Sequence, residues 1–323
     1  MKSKEKQKKS NLKSAIILLL LIAILLIAST YAWFTSNQTV QVSSLNVNVE
    51  AKNGLQISTD GTNWKSIIAN ADITGAHTTY GSSVNQVPGT LEPVSSAGNV
   101  DTTTGFMNMY YGVVDSTTGT PLLTATKDTE AEGTTGRFIA FDLFFKVDVD
   151  TPVYMTPDSK VTANGADQGL KNAARVAFLD EGYLAPGATT AAIQALKGAT
   201  DSTAYIWEPN YDVHTASAVQ AAHDTYGITT TAAGGTQIAY NGIKAPITTG
   251  VALNSTATAS FSGVTPRYST VAANASNVAF VTLHSGVTKI RTYMWVEGQD
   301  VDCENGASGT GITYDLKITS NNA

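Results

Sequence analysis

The sequence predicts a mainly β protein, an antiparallel β-sandwich with a short helical insertion, preceded by an N-terminal hydrophobic helix that serves as a signal or an anchor. Only 14% of residues are charged, whereas Thr, Ser, Ala, Gly and Asn are abundant, as is usual for strands and turns. Several runs alternate apolar with polar residues, the period of a half-buried strand. Residues 51–323 are long enough to bury a large core, as one large β domain or two smaller ones.

Residues 1–32 have the features of an export segment. They begin with six lysines, which the positive-inside rule places in the cytoplasm: Lys2, Lys4, Lys6, Lys8, Lys9 and Lys13. The apolar run that follows reaches about twenty residues over 15–34, enough to cross a bilayer. Small residues at Thr30 and Ala32 have the spacing of a signal peptidase site, which predicts cleavage between Ala32 and Trp33. The alternative is a retained helix that anchors the protein in the membrane.

The charge balance of the exported part excludes one class of partner. Removing the leader's six lysines and one glutamate from the 20 basic and 26 acidic residues leaves 14 and 25, a net charge of about −11. Nucleic acid binding needs clustered positive charge, so we expect no nucleic acid partner. Cys303 is the only cysteine, so no disulfide can form within the chain.

Residues 33–50 hold the segment that we expect to decide how the exported protein is retained. The pattern changes phase at Ser43-Ser44, which predicts a β-bulge there. This strand is either an ordinary first strand of a sandwich or a donor strand that pairs with the open sheet edge of a neighbouring copy. Its apolar residues, the candidate assembly residues, are Val40, Val42, Leu45, Val47 and Val49.

The segments that follow are assigned from turn signals and alternation. Residues 53–64 predict a hairpin with Trp64 packed against it, although a sugar-binding role for this ring is the alternative. Residues 70–105 predict a long surface loop with brief strands, because they show little periodicity. Residues 137–154 give the strongest strand signal and predict a central core strand, and 174–179 predict another strand.

An insertion is expected at about 185–240, where the composition shifts to Ala and Thr. Short helices are predicted at 190–197 and 217–225, with Thr190 and Ser217 as N-caps. The remaining strands are predicted at 257–264, 278–284, 289–297 and 313–319.

Motifs for catalysis are missing from the sequence, so we expect no enzyme and no cofactor. The four histidines do not have HExxH spacing, and neither GxSxG nor GxxxxGK occurs. Two polar clusters stand out, and for both we favour turn and loop hydrogen bonding over a metal site. They are Glu297, Asp300, Asp302 and Glu304, a calcium candidate, and Glu208, Asn210, Asp212 and His214.

The stretch Tyr31-Ala32-Trp33-Phe34-Thr35 after such a leader resembles the export signal of Gram-positive proteins processed by the SipW-type signal peptidase. That group includes TasA-like biofilm matrix fibre proteins and camelysin-type surface proteins. Segments at 53–64, 141–148, 172–178, 206–210 and 295–303 are similar to recurring stretches in this broader group. The resemblance implies a jelly-roll-like sandwich that is exported and whose freed N-terminal strand completes a neighbour.

The expected function is therefore that of a secreted structural protein of the cell surface. Its expected partners are further copies of itself, the signal peptidase and, before processing, the membrane through residues 15–34. The alternative is a membrane-anchored adhesin that contacts ligands through Trp207, Tyr211 and nearby loops. A metallopeptidase, a label that some camelysin-type proteins carry, is disfavoured because no metal-ligand spacing supports it.

Overall fold

The computed structural model describes residues 39–50, 54–115, 122–165, 169–198, 203–210, 213–220, 241–252, 259–264, 267–268, 279–303 and 311–320. The predicted export segment and the cleavage site at Ala32 and Trp33 lie outside these residues. Within them, no helix is long and apolar enough to cross a membrane.

The described residues are mainly β, as predicted. The strands are β1 Val40–Val49, β2 Gln56–Ser58, β3 Ile67–Ala69, β4 Thr90–Leu91, β5 Met109–Asp115, β6 Leu122–Asp128, β7 Ile139–Val147, β8 Thr151–Met155, β9 Lys160–Asn164, β10 Ala174–Leu184, β11 Tyr205–Glu208, β12 Asn241–Ile243, β13 Ile247–Ala252, β14 Phe261–Gly263, β15 Arg267–Tyr268, β16 Val281–Leu283, β17 Gly286–Val296 and β18 Gly311–Thr319. The helices α1 (Asn70–Gly75) and α2 (Thr190–Gln194) are short, and 3₁₀ turns cover Ala76–Thr78 and Leu170–Ala173.

Two large sheets dominate the architecture. The first contains β16, β8, β18, β1 and β3 in that order, with β4 also paired to β1 and β9 to β18. The second has the order β15-β11-β10-β17-β7-β2. Most pairs are antiparallel, but β1 runs parallel to β18 and β11 runs parallel to β15. A three-stranded sheet of β13, β6 and β5 and a β12–β14 ribbon complete the described strands.

The two large sheets share the main hydrophobic core. Alternate residues of β7, including Ile139, Phe141 and Phe145, belong to the same cluster as Leu316 and Ile318 of β18. The other face of the six-stranded sheet carries a second core, which contains Phe138, Ala140, Ala177, Tyr293 and Trp295. Both faces of this sheet are therefore covered.

Several predicted elements are confirmed. The hairpin turns at Asp60-Gly61, where the Asp60 carboxylate accepts from the amides of Thr62 and Asn63, both at 2.8 Å, and Gly61 takes a left-handed φ of 70°. The strand predicted at 137–154 is confirmed over Ile139–Val147, where β7 lies between β17 and β2 and is buried along almost its whole length. Its predicted end is wrong, because residues 151–154 belong to β8 of the other large sheet. The strands predicted at 289–297 and 313–319 are β17 and β18.

The prediction of a surface loop at 70–105 is wrong for much of its length. Ile73, Tyr80, Gln86 and Val94 are buried. The segment pairs with the sheet through single bridges such as that between Gln86 and Ala140, not through long strands. Isolated bridges impose no side-chain period, which is why the sequence shows little alternation there.

The predicted helical insertion is partly built into the sheet. Helix α2 is capped by Thr189, whose hydroxyl accepts from the Ala192 amide at 3.3 Å, rather than by Thr190. Residues 216–220 are helical, and Thr215 caps them in place of Ser217. Between these helices β11 pairs with β10 in the six-stranded sheet, so this part of the segment belongs to the sheet and is not an insertion on its surface.

Candidate functional site

The candidate assembly strand β1 lies inside the first sheet, between β18 on one side and β3 and β4 on the other. It pairs with β18 from Gln41 opposite Gly311 to Val49 opposite Ile318. The space that β1 fills between these strands is called the β1 slot below. The slot is closed on one side by a nine-residue strand and on the other by two short strands.

The side chains of β1 that the sequence singled out face the core of their own subunit. Val40, Leu45, Val47 and Val49 are buried, and Val42 is partly buried against the same core. Full burial of an aliphatic side chain contributes about 1.5–3 kcal/mol, so the four buried residues contribute up to roughly 6–12 kcal/mol. Whole domains are stable by only about 5–15 kcal/mol. An empty β1 slot would therefore leave the fold marginal or unfolded.

The predicted bulge is present and shapes the slot. The register with β18 shifts between Val42 and Ser44, which places Ser43 outside the ladder. A Cβ atom added to Gly311 would lie only 2.9 Å from the Ser43 hydroxyl oxygen, so the glycine leaves room for the bulge.

Polar contacts continue along the edges of β1. The Asn48 amide donates to the Asp315 carboxylate at 3.2 Å, and the Thr319 hydroxyl donates to the Glu50 carboxylate at 2.7 Å. The Val42 amide donates to the Gly89 carbonyl at 3.0 Å. Together with the ladder hydrogen bonds to β18, these contacts fix the position of β1 along the slot.

The two polar clusters that the sequence treated separately meet around Arg175. This buried guanidinium pairs with Glu208 at 2.8 Å and with Asp300, and we call the group the Arg175 cluster. Burial raises the pKa of Glu208 to about 8, because desolvation outweighs the attraction of Arg175. Burial likewise raises the pKa of Glu297, which lies in the turn after β17, to about 7.

His214 joins the Arg175 cluster through Asp302, whose carboxylate is 2.6 Å from the imidazole Nδ1. Desolvation opposes protonation of the ring, but the hydrogen bond to Asp302 and the nearby carboxylates raise the pKa of His214 overall. Ligand atoms of His214, Asp300 and Asp302 lie within 4.8 Å of one another, which is close enough to share a metal ion.

The hydrogen bonds of the two aspartates nevertheless favour a structural role. Asp300 accepts from the Asp302 amide at 2.8 Å and from Arg175, and Asp302 accepts from the Thr215 amide at 2.8 Å and pairs with His214. Each carboxylate oxygen thus already faces a nitrogen, and a metal ion would have to displace these groups. The acids act as the turn caps that the sequence favoured. Asp212 and Glu304 lie outside the described residues.

Of the aromatic residues considered for ligand contact, the two that the structure describes pack against other side chains. The side chain of Trp207 on β11 faces inward and is fully buried in the main core. The predicted adhesin contact through this residue is therefore wrong. Tyr211 lies outside the described residues. Trp64 packs with the Lys146 ammonium 4.5 Å from its ring centroid, as expected for an aromatic that covers the hairpin.

The sequence did not single out a second ionic group, here called the Lys289 cluster: Lys289, Asp142, Glu181, Arg291 and Glu130. All five side chains are almost completely buried on the face of the six-stranded sheet that carries the second core. The available signal was a charged residue at the centre of an apolar strand, Asp142 in FIAFDLFF. A buried charge at such a position requires a partner from elsewhere in the chain.

Comparison of the chain with protein-family models, with curated proteins and with solved structures finds no match.

Proposed function

We propose that the chain is an exported structural protein of the cell surface, a jelly-roll-like sandwich that assembles into extracellular fibres. In this proposal each copy donates β1 to the β1 slot of the next copy. The signal peptidase would cut between Ala32 and Trp33, after the membrane had received residues 15–34. The leader sequence, the acidic exported part and the position of β1 support this reading.

The observation that carries the proposal is the way β1 is held. It comes first among the described strands, and its ladders and apolar side chains connect it to β18, β3 and β4. After cleavage at Ala32, Glu50 would be its only covalent link to the rest of the fold. The strand could then leave the slot without unthreading any other element.

Exchange of β1 between copies would make the same contacts that β1 makes within one copy. Domain swapping of this kind costs little, because each hydrogen bond and each buried valine or leucine is replaced by its equivalent. A head-to-tail exchange whose rotation does not close into a ring extends into a chain of subunits.

The test compares purified protein covering 33–323 with protein covering 51–323. We expect the longer protein to form fibres visible by electron microscopy and polymers that resist denaturant, and the shorter one to form neither. Adding a synthetic peptide of residues 33–50 to the shorter protein should restore a folded, non-polymerising complex, because the peptide fills the slot without linking subunits. Identical fibres from the shorter protein would refute the proposal.

A further inference from the structure

Three side chains of the Lys289 cluster meet where the strands β7, β17 and β10 lie side by side. The Lys289 ammonium nitrogen is 3.1 Å from Asp142 Oδ2 and 2.8 Å from Glu181 Oε2. Asp142 lies directly opposite Arg291 on β17, so Lys289 is its diagonal neighbour on the same sheet face. This places an amine within contact of two carboxylates in a site closed to water.

We propose that Lys289 and Asp142 condense into an amide bond inside the chain, with Glu181 carrying the proton. A bond forms between Lys289 Nζ and Asp142 Cγ, and the bond between Cγ and Oδ2 breaks. The ammonium has three hydrogens; the amide keeps one, and the other two leave with the oxygen as water. The reaction is balanced without an oxidant, a reductant or a second substrate.

Hydrogen bonds mark Asp142 as the carboxylate that is attacked. Arg291 Nη1 donates to Asp142 Oδ1 at 2.6 Å, where negative charge would develop as the amine adds. The Tyr80 hydroxyl donates to Oδ2 at 2.8 Å, on the oxygen that must leave. Both donors make the Cγ atom more electrophilic and the departing oxygen a better leaving group.

Glu181 differs from Asp142 in its contacts, and its position suits it to carry a proton. Its buried carboxylate faces the Lys289 ammonium at 2.8 Å, and no hydroxyl or amide group of the described residues donates to it. Desolvation, joined by repulsion from Asp142, raises the pKa of Glu181 to about 7, so it can take and return a proton near neutral pH. It can receive one proton from Lys289 and deliver it to the departing Oδ2.

The Lys289 nitrogen is enclosed by aromatic rings and by the backbone carbonyls of Gln194 and Leu196, which keep water away from the reacting groups. The Lys289 nitrogen lies 5.7 Å and 5.9 Å from the ring centroids of Tyr80 and Phe144. Holding two reacting groups in contact removes most of the entropic barrier to their reaction. Condensation also replaces two buried charges, each costly to desolvate, with one neutral amide.

The test is the mass of the purified full chain, folded first and then denatured. We expect a mass lower by one water molecule than the sequence requires for the N-terminus found in the same sample. Because trypsin does not cut after an acylated lysine, digestion should release a branched peptide joining residues 138–146 to residues 268–291. An unaltered mass would overturn the proposal. A branch from Lys289 to residues 176–197, which contain Glu181, would overturn the choice of Asp142.

Two variants serve as matched controls. Lys289→Arg keeps a positive charge but cannot form the amide, and should show the full mass. Glu181→Gln keeps the shape of the carrier and removes its proton transfer, so we expect the linked fraction to fall at least tenfold. An unchanged linked fraction in Glu181→Gln would overturn the role of Glu181. The result does not depend on fibre formation, because the mass is read on single chains.

Discussion

Strands β1 and β17 both lie inside a sheet between two partners, but different forces hold them. The inward side chains of β1 are aliphatic, and its flanks are fixed by exposed or half-buried polar bonds. Strand β17 carries Lys289 and Arg291, whose charges are buried among carboxylates from other parts of the chain. An identical strand from another copy supplies the same aliphatic side chains as β1. Removal of a strand that bears buried charges leaves the partner carboxylates buried without a counter-charge. Under the proposed function, β1 is therefore the exchangeable strand and β17 the fixed one.

The largest loss of stability is expected when the positive charge of Arg291 on β17 is removed. Arg291→Met leaves Glu130 and Asp142 buried without their guanidinium, and we expect a loss of about 3–5 kcal/mol in the free energy of unfolding. Urea denaturation measures it. The control is Lys317→Met, which removes an exposed ion pair 3.9 Å long and should cost about 0–1 kcal/mol. Equal losses in the two variants would show that burial of the charges is unimportant.

On the exchangeable strand, the expected effect comes from packing. Leu45→Ala removes a fully buried side chain from the β1 slot and should lower the free energy of unfolding by about 2–5 kcal/mol. Gln41→Ala changes an exposed residue of the same strand and should stay within about 0.5 kcal/mol of the original protein. Under the proposed function, Leu45→Ala also lowers the yield of fibres. If both variants are equally stable, β1 does not fill the slot in solution.

An effect of pH on stability is also expected, and it extends the comparison to the Arg175 cluster. The pKa of Glu208 is 4.5 in an unperturbed side chain and about 8 in the fold, so the folded state binds more protons between these values. Its contribution to stability is complete below pH 4.5 and is lost as the pH rises towards about 8. Each pKa unit corresponds to about 1.4 kcal/mol at most.

Glu208→Gln is the variant that isolates this contribution. Because glutamine does not titrate, the decline of the unfolding free energy with rising pH should be shallower than in the original protein, as measured by urea denaturation across the range. Asp158→Asn, at an exposed carboxylate, should leave the slope unchanged. A Glu208→Gln slope equal to that of the original protein would contradict the raised pKa.

What the sequence predicted correctly is local. The bulge at Ser43-Ser44 and the central strand over Ile139–Val147 follow from the alternation of neighbouring side chains, which is set within a few residues. The mainly β class follows from the same repeated pattern.

What it did not predict depends on contacts between distant residues. The parallel pairing of Val47 with Leu316 joins the two ends of the fold, and no local pattern encodes it. Glu208 and Asp300 look like separate turn acids until Arg175 brings them together. Asp142 was visible as a charge in an apolar strand, but its partners Lys289 and Arg291 lie about 150 residues away along the chain.

The bulge at Ser43, which the absence of a side chain at Gly311 accommodates, restricts which strands can pair with β18 in register. A foreign segment with straight alternation would place half of its large side chains on the wrong face beyond the bulge. Under the proposed strand exchange, a second copy of the chain supplies the matching bulge, so Ser43 and Gly311 would favour pairing with an identical strand over an unrelated one.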